Sequence, residues 1–166
     1  ETRQYLEATP HRVIRDDEPF NFSRINNLAA REATGELLLL LNNDTEPISP
    51  GWMRAMVEHA MRPEVGAVGA KLLFQSGKVQ HAGVVLGIGG VAGHSHKYFA
   101  GDAAGSFQAL NMLRNYSAVT AACLMLRKSV FDEVGGFDEE HRAVAFNDVD
   151  FCLRIREKGY LIVWTP

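Results

Sequence analysis

Leu37-Leu38-Leu39-Leu40-Leu41-Asn42-Asn43-Asp44 is the stretch that decides the fold. Five leucines, bounded by Gly35-Glu36 in front and a polar triplet behind, predict a strand buried on both faces of a parallel sheet. Ligands of open α/β sheets bind just beyond the carboxyl ends of such strands. Asp44, flanked by the amides of Asn42 and Asn43 and followed by Thr45-Glu46-Pro47, is therefore placed to hold a divalent cation on a phosphate. The same residues also suit a plain turn. What favours the cation is a second acidic cluster, Asn147-Asp148-Val149-Asp150, near the other end of the chain.

Composition narrows the class. The chain has 166 residues, 46% hydrophobic and 22% charged, which fits one globular domain with a real core. A net charge of −3 without a basic block argues against a nucleic-acid surface. No apolar run approaches the roughly 20 residues of a membrane helix. The two cysteines, Cys123 and Cys152, exclude a disulfide framework and a four-cysteine zinc site as organising principles. The expected compartment is the cytoplasm. The abrupt start within a helical pattern and the stop after Trp164-Thr165-Pro166 lead us to expect a piece of a larger protein.

Outward from the leucine run, helices and strands alternate in the first half, as in βα units. A helix is expected over residues 1–8 and a short strand over 11–15. Ser23 is read as the cap of a helix running to Thr34 with Ile25, Leu28 and Ala29 on one face, and Gly35 past its end. Ser49 as cap and Pro50 in the first turn start the next helix, in which Trp52, Met53, Met56, Val57 and Ala60 recur at helical spacing up to Pro63. Strands are expected over 65–74 and 79–86, around the turn Ser76-Gly77-Lys78. Gly87-Ile88-Gly89-Gly90 has no helix behind it and is no dinucleotide fingerprint. Residues 100–113 read as a mobile loop suited to substrate contacts. A strand over 118–126, a short helix over 130–134, a helix from Asn147 or Asp148 to Gly159 and a strand over 160–164 complete the pattern.

Asn147-Asp148-Val149-Asp150 has two readings. Asparagine caps helices, and acids in a first turn complement the helix dipole. The same position also gives a carboxylate a fixed orientation at the lip of a pocket, as a general base requires. Among the histidines, His94-Ser95-His96 would set two imidazoles on one strand face, a metal pair without a third ligand. His81 either lines an acceptor side or is a satisfied, partly buried histidine. Ser117 and Ser129 lack the glycine elbow of a serine nucleophile.

Several stretches, taken together, point to one family. They are Phe20-Asn21-Phe22-Ser23; Asn26-Asn27-Leu28-Ala29-Ala30-Arg31 before Gly35; Leu41-Asn42-Asn43-Asp44-Thr45; Val119-Thr120-Ala121-Ala122-Cys123-Leu124-Met125; and Gly135-Gly136-Phe137-Asp138-Glu139 followed by Asn147-Asp148-Val149-Asp150-Phe151-Cys152-Leu153-Arg154. With them the chain resembles the inverting glycosyltransferase family two, and most of all its bacterial members that build O-antigen and rhamnan chains. The resemblance implies an α/β domain of the GT-A (nucleotide-diphospho-sugar transferase) type, a Rossmann-like mixed sheet flanked by helices. That domain would span residues 1–166 and be incomplete at the N-terminus, lacking most of the first nucleoside-binding βαβ segment.

By the same resemblance, Asp44 matches the last acid of the DXD motif and would hold Mn²⁺ or Mg²⁺ on the donor diphosphate, with Asn42 in place of the first acid. Asp148 matches the aspartate of the ED motif, the base, with Asn147 in place of the glutamate. Arg31, Asn42, Asn43 and Asp44 form the implied donor side, although Arg31 equally suits a structural ion pair. Asn147, Asp150 and His81 form the implied acceptor side. The implied partners are a nucleotide-sugar donor and a saccharide or lipid-linked saccharide acceptor, with no nucleic acid. Peripheral association at the inner face of the membrane would run through the parent protein. The chain alone is expected to bind nucleotide weakly and turn over poorly. The competing classes are a non-catalytic scaffold that keeps the fold and a metal-dependent phosphohydrolase, for which no nucleophilic aspartate motif is present.

Overall fold

The structure, a computed structural model, describes residues 2–166, with Arg3 described by its backbone alone. Glu1, expected in the first helix, lies outside the described residues. The chain runs through α1 (Thr2–Ala8), α2 (Phe22–Glu32), β1 (Leu37–Leu41), α3 (Trp52–Ala60), β2 (Val65–Ala70), β3 (Leu72–Leu73), β4 (Val79–His81) and β5 (Val84–Leu86). It continues with β6 (Ala92–His94), β7 (Arg114–Asn115), β8 (Cys123–Arg127), α4 (Lys128–Glu133), α5 (Asn147–Glu157) and β9 (Leu161–Thr165). A five-stranded sheet has the order β1-β8-β2-β9-β7, and β3-β4 and β5-β6 form separate pairs.

The sheet is mixed. β2 and β9 are parallel, whereas β8 is antiparallel to both β1 and β2. The carboxyl ends of β1, β2 and β9 therefore share one rim. The leucine strand is not inside a parallel sheet as expected. It is an edge strand, paired among the described residues only with β8, in the register Leu37↔Arg127 to Leu41↔Cys123. Both of its faces are nonetheless covered, because successive side chains of a strand point to opposite sides. Leu38 and Leu40 join the core under α5, and Leu37 and Leu39 pack against the α3 side. β8 alternates in the same way, with Leu124 and Leu126 on the α5 side and Cys123 and Met125 on the α3 side.

Several local expectations change. Residues 11–15 form no strand; Val13 and Ile14 are 48% and 39% exposed and meet no partner strand. The cap of α2 is Asn21, whose side chain accepts from the Arg24 N–H, and not Ser23. The buried positions of α2 are Ser23, Asn27 and Ala30 instead of Ile25, Leu28 and Ala29. Their partners are polar: Ser23 donates to the Arg142 carbonyl, and Asn27 grips the backbone of Phe137 from both sides. Gly136 makes that grip possible, since it takes φ +70° and any Cβ there would strike the Asn27 amide. Helix α3 begins after Gly51 and has no side-chain cap, so Ser49 does not serve as one.

The expected long strands are interrupted. Residues 65–74 split into β2 and β3, 79–86 into β4 and β5, and 118–126 shorten to β8. The loop of residues 100–113 is tethered at Ala109 and Leu110, which are buried, and Lys71 Nζ donates to the Leu110 carbonyl at 3.3 Å. Cys123 and Cys152 are buried free thiols, pushed up to about 11 and about 12 by burial, and act as packing residues. Among the described residues no helix is long and apolar enough to cross a membrane.

Candidate active site

Three segments meet at the rim formed by the carboxyl ends of the strands. The first is the end of β1. Asn42 donates its backbone N–H to the Ala122 carbonyl at 3.0 Å, and the Thr45 N–H closes a turn onto the Asn42 carbonyl at 3.2 Å. Asp44 stands exposed on this turn, beside exposed Asn43, and makes no hydrogen bond or ion pair to the described residues. The second segment is the stretch leading into β8, where Thr120, Ala121 and Ala122 cross between β1 and α5. The third is the N-terminus of α5.

Asp148 sits in the first turn of α5, and its two carboxylate oxygens are held by backbone alone. One accepts from Ala121 N–H at 3.3 Å and the other from Val149 N–H at 2.8 Å. No lysine or arginine among the described residues pairs with it. Asn147 is buried and acts locally, its Oδ1 accepting the Asp148 N–H and its Nδ2 donating to the Val144 carbonyl. Asp150 is closed into an ion pair with Arg154 at 2.9 Å, and Arg154 also donates to the Val134 carbonyl. Asn147 and Asp150 thus position the helix, whereas the Asp148 carboxylate is available.

Asp148 lines a cavity of about 200 Å³ with Phe146, Val149, Val84, Ala92, Gly93 and His94. A larger cavity, about 280 Å³, opens at the other end of α5 between Arg156, Tyr160 and Asn115. Its lining contains no carboxylate, so the smaller one is the chemical candidate.

The histidines are arranged differently from the expected pair on one strand face. β6 ends at His94, and His96 takes φ +52°, which turns its ring onto the Ser95 hydroxyl. The ring that meets His94 is that of His81, Nδ1 to Nδ1 at 2.9 Å. His81 is completely buried, and that burial, with His94 beside it, drives its pKa down to about 3. Burial also holds the His94 imidazole below its usual range; the Lys97 ammonium acts with it and the Asp148 carboxylate against it. Sequence reading missed this pair because a hairpin brings it together. β5 and β6 register Val84 opposite His94, and their turn closes through the Gly87 N–H to the Val91 carbonyl.

Arg31 is not brought to this rim. It lies in the last turn of α2, next to Ala30, whose carbonyl receives Lys128 Nζ near the start of β1, at the opposite end of the strands. Its partner is Glu139, at a loose 3.9 Å.

As a cation site, the rim offers the Asp44 carboxylate and the Asn42 amide oxygen. Among the described residues no three His, Cys, Asp or Glu side chains converge to cage an ion. Hard oxygen donors in this number fit a Mg²⁺-like or Mn²⁺-like ion shared with a substrate phosphate, not one caged by protein alone.

The mixed sheet flanked by helices has the GT-A fold. Solved structures bear out the fold. GalNAc-T7 with UDP, GalNAc and Mn²⁺ matches with a TM-score of 0.75 at 12% identity, over 99% of this chain and 33% of that one. The mannosyltransferase PcManGT of Pyrobaculum calidifontis, with GDP-Man and Mn²⁺, matches with a TM-score of 0.64 at 17% identity, over 99% and 40%.

The chain belongs to glycosyl transferase family group 2, whose sequence pattern matches residues 37–166. The protein y4gI of Sinorhizobium fredii is 53% identical over 155 residues, 93% of this chain and 17% of that protein. The O-antigen biosynthesis protein RfbC of Myxococcus xanthus is 49% identical over 150 residues, 90% and 12% respectively. The chain therefore spans less than a fifth of the length of these curated relatives.

Proposed function

We propose that this chain is the catalytic core of an inverting glycosyltransferase. It would move a sugar from a nucleotide-diphosphate donor to a saccharide hydroxyl, free or lipid-linked, in bacterial surface-polysaccharide synthesis. The observation that carries this reading is the Asp148 carboxylate. It is oriented by two backbone N–H groups, paired with no cation among the described residues, and set at the same loop that receives the end of β1. The O-antigen name of one relative, the GDP-Man in one solved neighbour and the UDP and GalNAc in the other support the substrate classes.

In this mechanism Asp148 accepts the proton of the acceptor hydroxyl as its oxygen attacks the anomeric carbon. The new C–O bond forms as the bond to the diphosphate breaks, and the nucleoside diphosphate leaves with the electron pair, so the anomeric configuration inverts. Asp44 and Asn42 would hold Mn²⁺ or Mg²⁺, which when bound supplies charge neutralisation at the leaving diphosphate. Asn43, exposed on the same turn, would belong to the donor side.

The test uses the full-length protein with a nucleotide sugar, Mn²⁺ and a saccharide acceptor. Release of nucleoside diphosphate with a product of opposite anomeric configuration, read by NMR, is expected. A product that retains the donor's configuration contradicts the single-displacement mechanism.

A further inference from the structure

The contact between His81 and His94 has a consequence for the cavity that Asp148 lines. His81 Nε2 accepts two backbone N–H groups, from Gly83 at 3.3 Å and from Thr120 at 3.4 Å. A ring nitrogen that accepts carries a lone pair and no proton, so neutral His81 is protonated on Nδ1. That Nδ1 faces His94 Nδ1 at 2.9 Å and donates to it. His94 Nδ1 is therefore an acceptor as well, and the proton of His94 is forced onto Nε2. Among the described residues no protein atom accepts from that N–H, and the ring lines the cavity beside Asp148. Burial keeps both rings neutral, which preserves the arrangement.

We propose that His94 binds the acceptor: its Nε2–H donates to the acceptor-sugar oxygen neighbouring the hydroxyl that Asp148 deprotonates, and His81 is the positioning residue that fixes this tautomer. The role rests on the transferase activity proposed above. A protonated Nε2 has no lone pair, so His94 is neither a metal ligand through that atom nor a second base. An uncharged donor beside a carboxylate suits an uncharged polyhydroxyl ligand, since sugar hydroxyls can donate to one and accept from the other. Gly83 holds the relay in place: it takes φ +88° against the Tyr116 ring and donates its N–H to His81.

The experiment compares His94→Phe, His94→Gln and His81→Phe in the full-length protein, with a nucleotide-sugar donor and methyl glycosides as probe acceptors. His94→Phe is expected to raise the acceptor KM at least about tenfold more than the donor KM, the effect of one lost hydrogen bond to substrate. His94→Gln, which retains an N–H donor, recovers most of that loss. A second readout needs no substrate. Diethyl pyrocarbonate attacks the unprotonated ring nitrogen, which His81 shields, so His94 reacts more than tenfold slower than exposed His11 and accelerates in His81→Phe.

Equal effects of His94→Phe on the two KM values, or no recovery with His94→Gln, overturn the acceptor role. Reaction of wild-type His94 as fast as His11 overturns the tautomer. A wild type that transfers while His94→Phe transfers equally well defeats the His94 assignment alone. A wild type that transfers to no probe and releases no nucleoside diphosphate defeats the transferase reading and the acceptor role together.

Discussion

Asp148 Oδ2 accepts the backbone N–H of Ala121 at 3.3 Å, and the carbonyl of the next residue, Ala122, accepts the N–H of Asn42. One dipeptide thus joins the start of α5 to the end of β1, two segments far apart in sequence. Neither Asp44 nor Asp148 is consumed by an ion pair among the described residues, so both carboxylates of the rim remain available to ligands. The proposed chemistry depends on that availability.

Removing the Asp44 carboxylate is predicted to act through the cation alone. Asp44→Ala lowers the affinity for nucleoside diphosphate in Mn²⁺ by about tenfold, or about 1.4 kcal/mol. EDTA lowers the wild-type affinity by a similar factor, and the two losses do not add, because both remove one interaction. In EDTA the variant binds no worse than wild type, since a carboxylate without its cation repels the diphosphate. Calorimetric titration of both proteins with and without EDTA checks this. Additive losses would show that Asp44 works independently of a metal.

Burial of His81 makes stability depend on pH. Its folded pKa of about 3 lies below the ordinary 6.5, so between those values the unfolded chain binds more protons. The stabilisation is complete above about pH 6.5 and is lost as pH falls towards 3, with a slope of at most roughly 1.4 kcal/mol per pH unit. His94, which faces the same contact and is also lowered, adds to it in the same direction. The carboxylates of Asp16, Glu64 and Asp138, held below their ordinary range by hydrogen bonds, act below the upper part of the window. Urea unfolding between about pH 5 and 6.5 should therefore show a flatter slope for His81→Phe than for wild type. An unchanged slope contradicts the assignment.

Asn27 is predicted to be a stability residue. Its Oδ1 accepts the Phe137 N–H at 2.8 Å, and its Nδ2 donates to the Phe137 carbonyl at 2.9 Å and to Glu139 at 2.7 Å. Asn27→Ala leaves buried backbone groups unpaired and costs about 3 kcal/mol in urea unfolding. A loss under about 0.5 kcal/mol would mean that water replaces the amide.

The sequence exposes what is local and periodic. The leucine run announced a strand, and the Asn147-Asp148 cluster announced a helix start. Pairing is a tertiary property, so nothing in five leucines revealed that they pair with antiparallel β8. The face of α2 was misread because its buried positions, Ser23 and Asn27, are polar, and hydrophobic spacing is blind to side chains buried by hydrogen bonds. Val13-Ile14 has strand character but no partner, and propensity without a partner makes no strand. Arg31 had two readings, a donor-side match and a structural ion pair; helix α2 ends near the start of β1, and Arg31 faces Glu139 at 3.9 Å there. The His81–His94 contact depends on the register of β5 with β6, which spacing alone does not give.

Asp148→Asn in the full-length protein tests the central claim most directly. The substitution keeps an oxygen to accept the Ala121 N–H but abolishes the base, so sugar transfer should fall by about 10²–10⁴-fold while calorimetry shows donor binding in Mn²⁺ within about twofold of wild type. A variant that transfers sugar at the wild-type rate would contradict the account.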